Sequence, residues 1–224
     1  MTSQEIYKAV LGLIDLTSLN GSDTYTKIAG MTEKVNRFHD SFPDLPLPVK
    51  IAECETAVRD GANEVDIVLA MNAFLENRPE EAAREIMEIG KAIRAINPDV
   101  VLKVILETGE LKDPKRIEEA SFLAMESGAD FIKTSTGKTA VSATPEAATI
   151  MCRCIKTYYE KTRRMVGFKP AGGVSTPEDA LVYWNIVADI LGEKWLDKKY
   201  FRFGASRMAN NLLTAIVGSE VKYY

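Results

Sequence analysis

Short apolar runs alternate along most of the chain with longer segments that carry helical periodicity. Runs at 11–16, 64–69, 100–106, 131–134, 166–168 and 200–203 read as strands. The patterns at 23–42, 49–60, 79–96, 114–127, 145–161 and 177–191 read as helices. Strands separated by helices of this length predict βα units around a parallel sheet. The boundaries carry matching chemistry. Thr144-Pro145-Glu146 and Thr176-Pro177-Glu178 each offer a capping hydroxyl, a proline at the first helical position and an acid in the first turn. Gly61 and Gly128 stand where a helix stops just before the next strand.

"RDGANEVDIV" and "ESGADFIKTS" form a weak internal repeat, as do "IKTSTGKTAVSATPEAA" and "FKPAGGVSTPEDA". Repeated βα units with ligand-like residues at the ends of strands favour a TIM (β/α)8 barrel over an open doubly wound sheet. No G-x-G-x-x-G opens a helix. A closed barrel of this kind needs eight strands and about 250 residues, whereas the 224-residue chain offers six candidates. The deficit lies between the first strand and the run at 64–69, where two helical patterns flank the proline-rich stretch 43–48. The expected organisation is one barrel domain, 1–224, with its second and third strands missing and a deletion or seam near 43–48.

Composition narrows the chemistry. A net charge of −4, with no basic stripe, argues against nucleic acid as a partner. The N-terminal residues lack a basic n-region, and Asp15 interrupts the first apolar run, so neither a signal peptide nor a membrane span is expected. A cytoplasmic protein follows. The single histidine, His39, excludes a histidine-rich metal site and reads as a surface residue. Cys54, Cys152 and Cys154 lack redox or metal spacing and read as reduced packing residues. Acid, base and nucleophile therefore fall to carboxylates and lysines.

Ionisable residues sit inside the apolar runs: Asp15, Asp66, Lys103, Lys133, Lys169 and Arg202. One could occupy an edge, but burying a charge costs several kcal/mol unless it is paired, so a set of this size implies a shared polar interior. A lysine screened from water beside a second cation loses its proton more easily and can attack a carbonyl to form a Schiff base. Lys133 and Lys169 fall on consecutive strands and fit that pair. Asp66 could then move protons at the carbon next to the iminium. Gly137-Lys138, Gly172-Gly173 and Gly204 with Ser206 follow the last three strands, where barrels commonly bind phosphate on free amides.

"LIDLTSLN", "ANEVDIVL", "LKVILETGELKD", "GADFIKTSTGK", "SATPEAA", "VGFKPAGGVSTPEDA" and "RFGAS" resemble deoxyribose-phosphate aldolase in order and spacing, from Leu13 to Ser206. The resemblance implies a lyase without metal or cofactor, reversibly splitting 2-deoxy-D-ribose 5-phosphate into D-glyceraldehyde 3-phosphate and acetaldehyde. It makes Lys133 the Schiff-base residue, Lys169 the lysine that tunes it and Asp66 the proton carrier. Asp15 would orient these catalytic groups or the substrate hydroxyls, Thr17 would bind the substrate, and Gly137, Lys138, Gly172, Gly173, Gly204 and Ser206 would hold the phosphate. It also suggests a homodimer. The family's "C-x-Y-P" and "GFP-G" strands have no counterpart before "VKIAECETAVRDGA". The alternatives are another Schiff-base sugar-phosphate aldolase or transaldolase, or a catalytically disabled phosphosugar-binding barrel.

Overall fold

The computed structural model of the chain describes residues 2–11, 13–16, 47–205 and 208–222. The expected helix at 23–42 with His39, and also Thr17, residues 43–46 and Ser206, lie outside the described residues. Of Asp15 only the backbone is described.

The described residues form α1 (Ser3–Leu11), β1 (Ile14–Leu16), α2 (Leu47–Arg59), β2 (Glu64–Val68), α3 (Met71–Leu75), α4 (Pro79–Ile96) and β3 (Val101–Ile105). After them come α5 (Thr108–Leu111), α6 (Pro114–Glu126), β4 (Phe131–Lys133), α7 (Pro145–Thr162), β5 (Gly167–Lys169), α8 (Pro177–Ile190), β6 (Phe203–Ala205) and α9 (Met208–Val217). Strands β2 to β5 lie side by side in chain order, all parallel, and β1 pairs in parallel with β6. Bridges from Phe168 to Phe201 and from Ala171 to Gly204 join β5 to the β6 segment. The described strands thus follow one another as a parallel barrel arc, β2-β3-β4-β5-β6-β1.

The long helices begin where their caps direct. The Thr144 hydroxyl accepts the N–H of Ala147 at 3.1 Å. At α8, the Thr176 hydroxyl accepts the N–H of Asp179, and the Asp179 carboxylate accepts the N–H of Thr176, a reciprocal capping box. Both ends of the strand pattern need correction. The run expected as a strand at 11–16 is shortened to Ile14–Leu16, because its first residue closes helix α1. That helix has its own box, Thr2 and Glu5 each accepting the other's N–H, and it buries Val10 completely. The strand expected at 200–203 instead occupies Phe203–Ala205. Tyr200 and Phe201 donate their N–H groups to the Asp197 carbonyl in a turn, and pairing with β1 starts at Phe203, whose N–H reaches the Leu13 carbonyl at 2.8 Å.

Side chains on each strand alternate between the barrel interior and the helical layer. Ile67, Leu102, Val104, Ile132 and Phe168 point outward and are fully buried against Ile86, Ile89, Ala120, Met151 and Ile155. Such side chains each contribute about 1.5–3 kcal/mol by leaving water, so this layer holds the scaffold together. Cys54, Cys152 and Cys154 are unpaired and buried, and burial pushes the thiols of Cys54 and Cys154 up to about 12 and about 11. Packing suits them. The interior row, by contrast, alternates small with large: a Cβ on Gly167 would stand 2.5 Å from ring atoms of Phe131, its register partner.

Gly167→Ala should therefore overpack the interior and lower stability by about 1–3 kcal/mol. The check is urea unfolding at constant m value; an unchanged midpoint would contradict this account of the row.

Candidate active site

The interior positions of β2 to β5 carry charge because the register stacks them there. Asp66 pairs with Lys103, and one layer nearer the C-terminal ends Lys133 pairs with Lys169. Parallel neighbours stand about 4.8 Å apart, so the two lysines are adjacent by construction. Lys103, Lys133 and Lys169 are at most 1% exposed, and Asp66 is 5% exposed. One carboxylate holds all three. Asp66 Oδ2 accepts from Lys169 Nζ at 2.8 Å and from Lys133 Nζ at 3.1 Å, and Oδ1 accepts from Lys103 Nζ at 3.1 Å. Lys103 also donates to Glu64, which in turn pairs with Arg202 at 2.7 Å.

Arg202 corrects the expectation that it lies within a strand. It precedes β6, is partly exposed and reaches the first residue of β2, at the N-terminal end of the barrel. The remaining charges form a ladder from that end to Lys133. Burial is the main cause that lowers the Lys133 pKa, to about 8, and the charge of Lys169 lowers it further; Asp66 opposes both. Near neutral pH a useful fraction of this amine is therefore unprotonated and nucleophilic.

The loops after β4 and β5 close over the lysines. Thr134 Oγ1 accepts the N–H of Ala171 at 2.9 Å, and Ser135 Oγ donates to the Ala171 carbonyl at 2.7 Å. Gly137 and Gly172 pack backbone on backbone, and a Cβ on Gly172 would stand 2.5 Å from Ser142 Oγ. Both glycines have positive φ, 82° and 77°. Gly173 also has φ 77°, but no atom lies within 4 Å of where its side chain would stand. The structure therefore brings Gly137, Lys138, Gly172 and Gly173 to one end of the lysine site. Gly204 behaves differently: its N–H donates to the Pro170 carbonyl, and the missing side chain leaves room for Ala171 and the Lys169 stem. The Asp15 backbone is in register with Gly204. Among the described residues, no three His, Cys, Asp or Glu side chains converge to hold a metal ion.

Sequence reasoning flagged Lys103 as a buried charge but gave it no role, and it passed over Glu64, Thr134, Ser135 and Glu107. For Thr134 and Ser135 the signal was their position directly after Lys133. For Glu64 it was a carboxylate two residues before Asp66, on the same strand face.

The sequence model of the DeoC/LacD family aldolases matches residues 16–183. This chain belongs to that family. The aldolase is 45% identical over 182 residues to the deoxyribose-phosphate aldolase of Agrobacterium fabrum, covering 80% of this chain and 68% of the relative. A relative from Caenorhabditis elegans is 35% identical across an alignment of 256 residues, covering 96% of this chain and 83% of the relative. That alignment is longer than the 224-residue aldolase, so the relative has positions without a counterpart here. A solved structure from Toxoplasma gondii ME49 superposes with a TM-score of 0.81 at 19% identity, over 96% of this chain and 98% of that one. The deoxyribose phosphate aldolase of Aeropyrum pernix, described as tetrameric, gives 0.70 at 21% identity, over 96% and 98%. The fold of the aldolase is of the TIM (β/α)8 barrel type, and the described residues supply six parallel strands.

The aldolase should react with acetaldehyde at Lys133 along a pH curve with its midpoint at about 8. Lys169→Met removes a like charge and should move the midpoint up; Asp66→Asn removes the opposing carboxylate and should move it down. Reductive ethylation followed against pH checks both, and shifts in the same direction would contradict the charge assignment.

Proposed function

We propose that the chain is a class I deoxyribose-phosphate aldolase, reversibly cleaving 2-deoxy-D-ribose 5-phosphate to D-glyceraldehyde 3-phosphate and acetaldehyde with no metal or organic cofactor. The observation that carries this reading is a buried lysine, Lys133, that shares one carboxylate oxygen with a second buried lysine and whose pKa is lowered to about 8. In the condensing direction, the neutral amine of Lys133 adds to the acetaldehyde carbonyl carbon, and the carbinolamine takes up one proton as it loses water to give the iminium. Asp66 takes a proton from the adjacent methyl carbon, leaving the enamine. The enamine carbon then bonds to the aldehyde carbon of D-glyceraldehyde 3-phosphate, and Asp66 returns its proton to the new alkoxide. Water adds to the product iminium, and its collapse releases the sugar aldehyde, the neutral amine of Lys133 and the proton taken up earlier. Lys169 holds Lys133 short of full protonation and steadies the charge on Asp66.

The phosphate belongs at Gly137, Lys138, Gly172 and Gly173; from the sequence resemblance alone, Ser206 is assigned to the phosphate, Thr17 to the substrate and Asp15 to orienting the reacting groups or the substrate hydroxyls. Gly204 serves this site by leaving space for Lys169. The chain is one barrel domain with a βα unit and a strand missing near 43–48; the alignment that exceeds the chain in length supports that reading. A seam over absent residues is the favoured form, since a barrel opened by two strands exposes unpaired edges. An intact mass above 24.8 kDa by roughly thirty to forty residues tests it. We further propose a cytoplasmic homodimer. No helix among the described residues is long and apolar enough to cross a membrane, and sedimentation distinguishes the dimer from the tetramer described for the Aeropyrum pernix protein.

Borohydride with acetaldehyde should leave an ethyl group on Lys133; a label on Lys169 or Lys103 with Lys133 unmodified would overturn the assignment. Asp66→Asn should lower turnover by roughly 10² to 10⁴, the range for a general acid/base. Gly173→Ala should place a methyl in open space at the phosphate end and raise KM for the phosphorylated sugar more than for deoxyribose. An equal change for the two sugars would remove Gly173 from the phosphate site.

A further inference from the structure

Two residues beyond β3, Glu107 adopts the left-handed conformation, φ 51° and ψ 58°, although it is not glycine. That backbone costs about 1–2 kcal/mol for an L-residue and persists where surrounding interactions over-determine it. The interactions are on one loop. Glu107 is 5% exposed, and Oε2 accepts the hydroxyl of Thr136 at 2.5 Å and its N–H at 3.2 Å. Oε1 shares the Thr139 hydroxyl, 3.2 Å away, with the Val141 carbonyl at 2.9 Å, and it stands 3.4 Å from the Thr136 nitrogen. Among the described residues no lysine or arginine forms a salt bridge with this buried carboxylate; hydroxyl and amide donors from residues 136–139 neutralise it instead. Charge-assisted hydrogen bonds of this kind are about twice as strong as neutral ones, enough to offset the backbone strain.

The neighbours of Glu107 grip the same loop. The Thr108 N–H donates to the Thr134 carbonyl at 2.9 Å, and a side chain on Gly109 would overlap the Val141 carbonyl. On its far side the loop rests on the β5 loop, Gly137 against Gly172 and the Ala143 N–H toward the Ala171 carbonyl. Gly137 and Lys138 lie between Thr136 and Thr139, so the carboxylate holds the loop on both sides of them.

We propose that Glu107 is a positioning residue for the phosphate end of the substrate: its carboxylate fixes Thr136 and Thr139 and thereby the presentation of Gly137 and Lys138. The proposal rests on the reading of those residues as phosphate-binding. It separates two tasks along the strand ends, with Asp66 serving the carbonyl and Glu107 serving the phosphate without touching it. The reacting groups should not depend on it.

The test uses the full chain and inorganic phosphate as the probe, measured by calorimetry, with acetaldehyde trapping at Lys133 as the control for an intact centre. Glu107→Ala should weaken phosphate at least about tenfold and raise KM for the phosphorylated sugar, with a smaller change in kcat. Trapping at Lys133 should stay within about twofold of the unmodified protein. Glu107→Gln keeps an acceptor oxygen for Thr136 and should recover most of the phosphate affinity, which a loss of bulk stability would not explain. If Glu107→Ala fails to fold, the double variant Thr136→Val, Thr139→Val removes the hydroxyl donors from the loop side and should show the same loss. Unchanged phosphate affinity in a folded variant overturns the proposal, as does an equal loss of phosphate binding and Lys133 trapping. Failure of the underlying reading is visible earlier, as an unmodified protein that neither binds phosphate nor prefers the phosphorylated sugar.

Discussion

The site depends on one carboxylate serving three ammonium groups in a space almost closed to water. Without Asp66, Lys133 and Lys169 would be like charges side by side in the barrel interior with their shared acid gone, and the cost would be met by loss of a proton. With it, the three lysines are unequal. Lys103 has a second acid in Glu64, whereas Lys133 competes with Lys169 for the same oxygen. Lys133 thus has one shared acid where Lys103 has two, and burial together with the charge of Lys169 lowers its pKa to about 8. Nucleophilicity arises from an imbalance in pairing, and stability and reactivity come from the same set of contacts.

The loops translate this imbalance into a binding site. Thr134 and Ser135 tie the end of β4 to Ala171, so hydrogen bonds join the segment that bears Lys133 to the segment that follows Lys169. Glycines allow the next turn of each loop to touch. A side chain at Gly172 would run into Ser142, one at Gly137 would strain its left-handed backbone, and the glycine at Gly204 keeps the Lys169 stem in its channel. Three absent side chains are therefore as constructive here as the charged ones.

Much of this was legible in the sequence, and the reasons divide by range. Helices α4, α6, α7 and α8 could be placed because proline and capping residues act within one turn. The neighbouring lysines were legible because parallel register converts sequence order into proximity. The strand near Phe203 was misplaced since Tyr200, Phe201 and Phe203 are equally apolar, and only pairing with β1 decides between them. The single-turn helices α3 and α5 are too short to carry periodicity. The partnership of Arg202 with Glu64 spans 138 positions, and the left-handed turn at Glu107 is paid for by a loop many residues later; neither leaves a local mark.

The alternation of the strands has a consequence for how such an enzyme can diverge. In β4 and β5 the lysines stand next to Ile132 and Phe168, which face the opposite layer and pack among aliphatic and aromatic side chains. Adding or removing one residue in either strand would exchange the two faces, sending an ammonium into the apolar layer and a hydrocarbon into the reaction chamber. Substitution can therefore adjust the chemistry by degrees, but strand length admits no intermediate. Variation in length is confined to connections, and blocks exchanged between related enzymes can be joined there without disturbing the catalytic alignment.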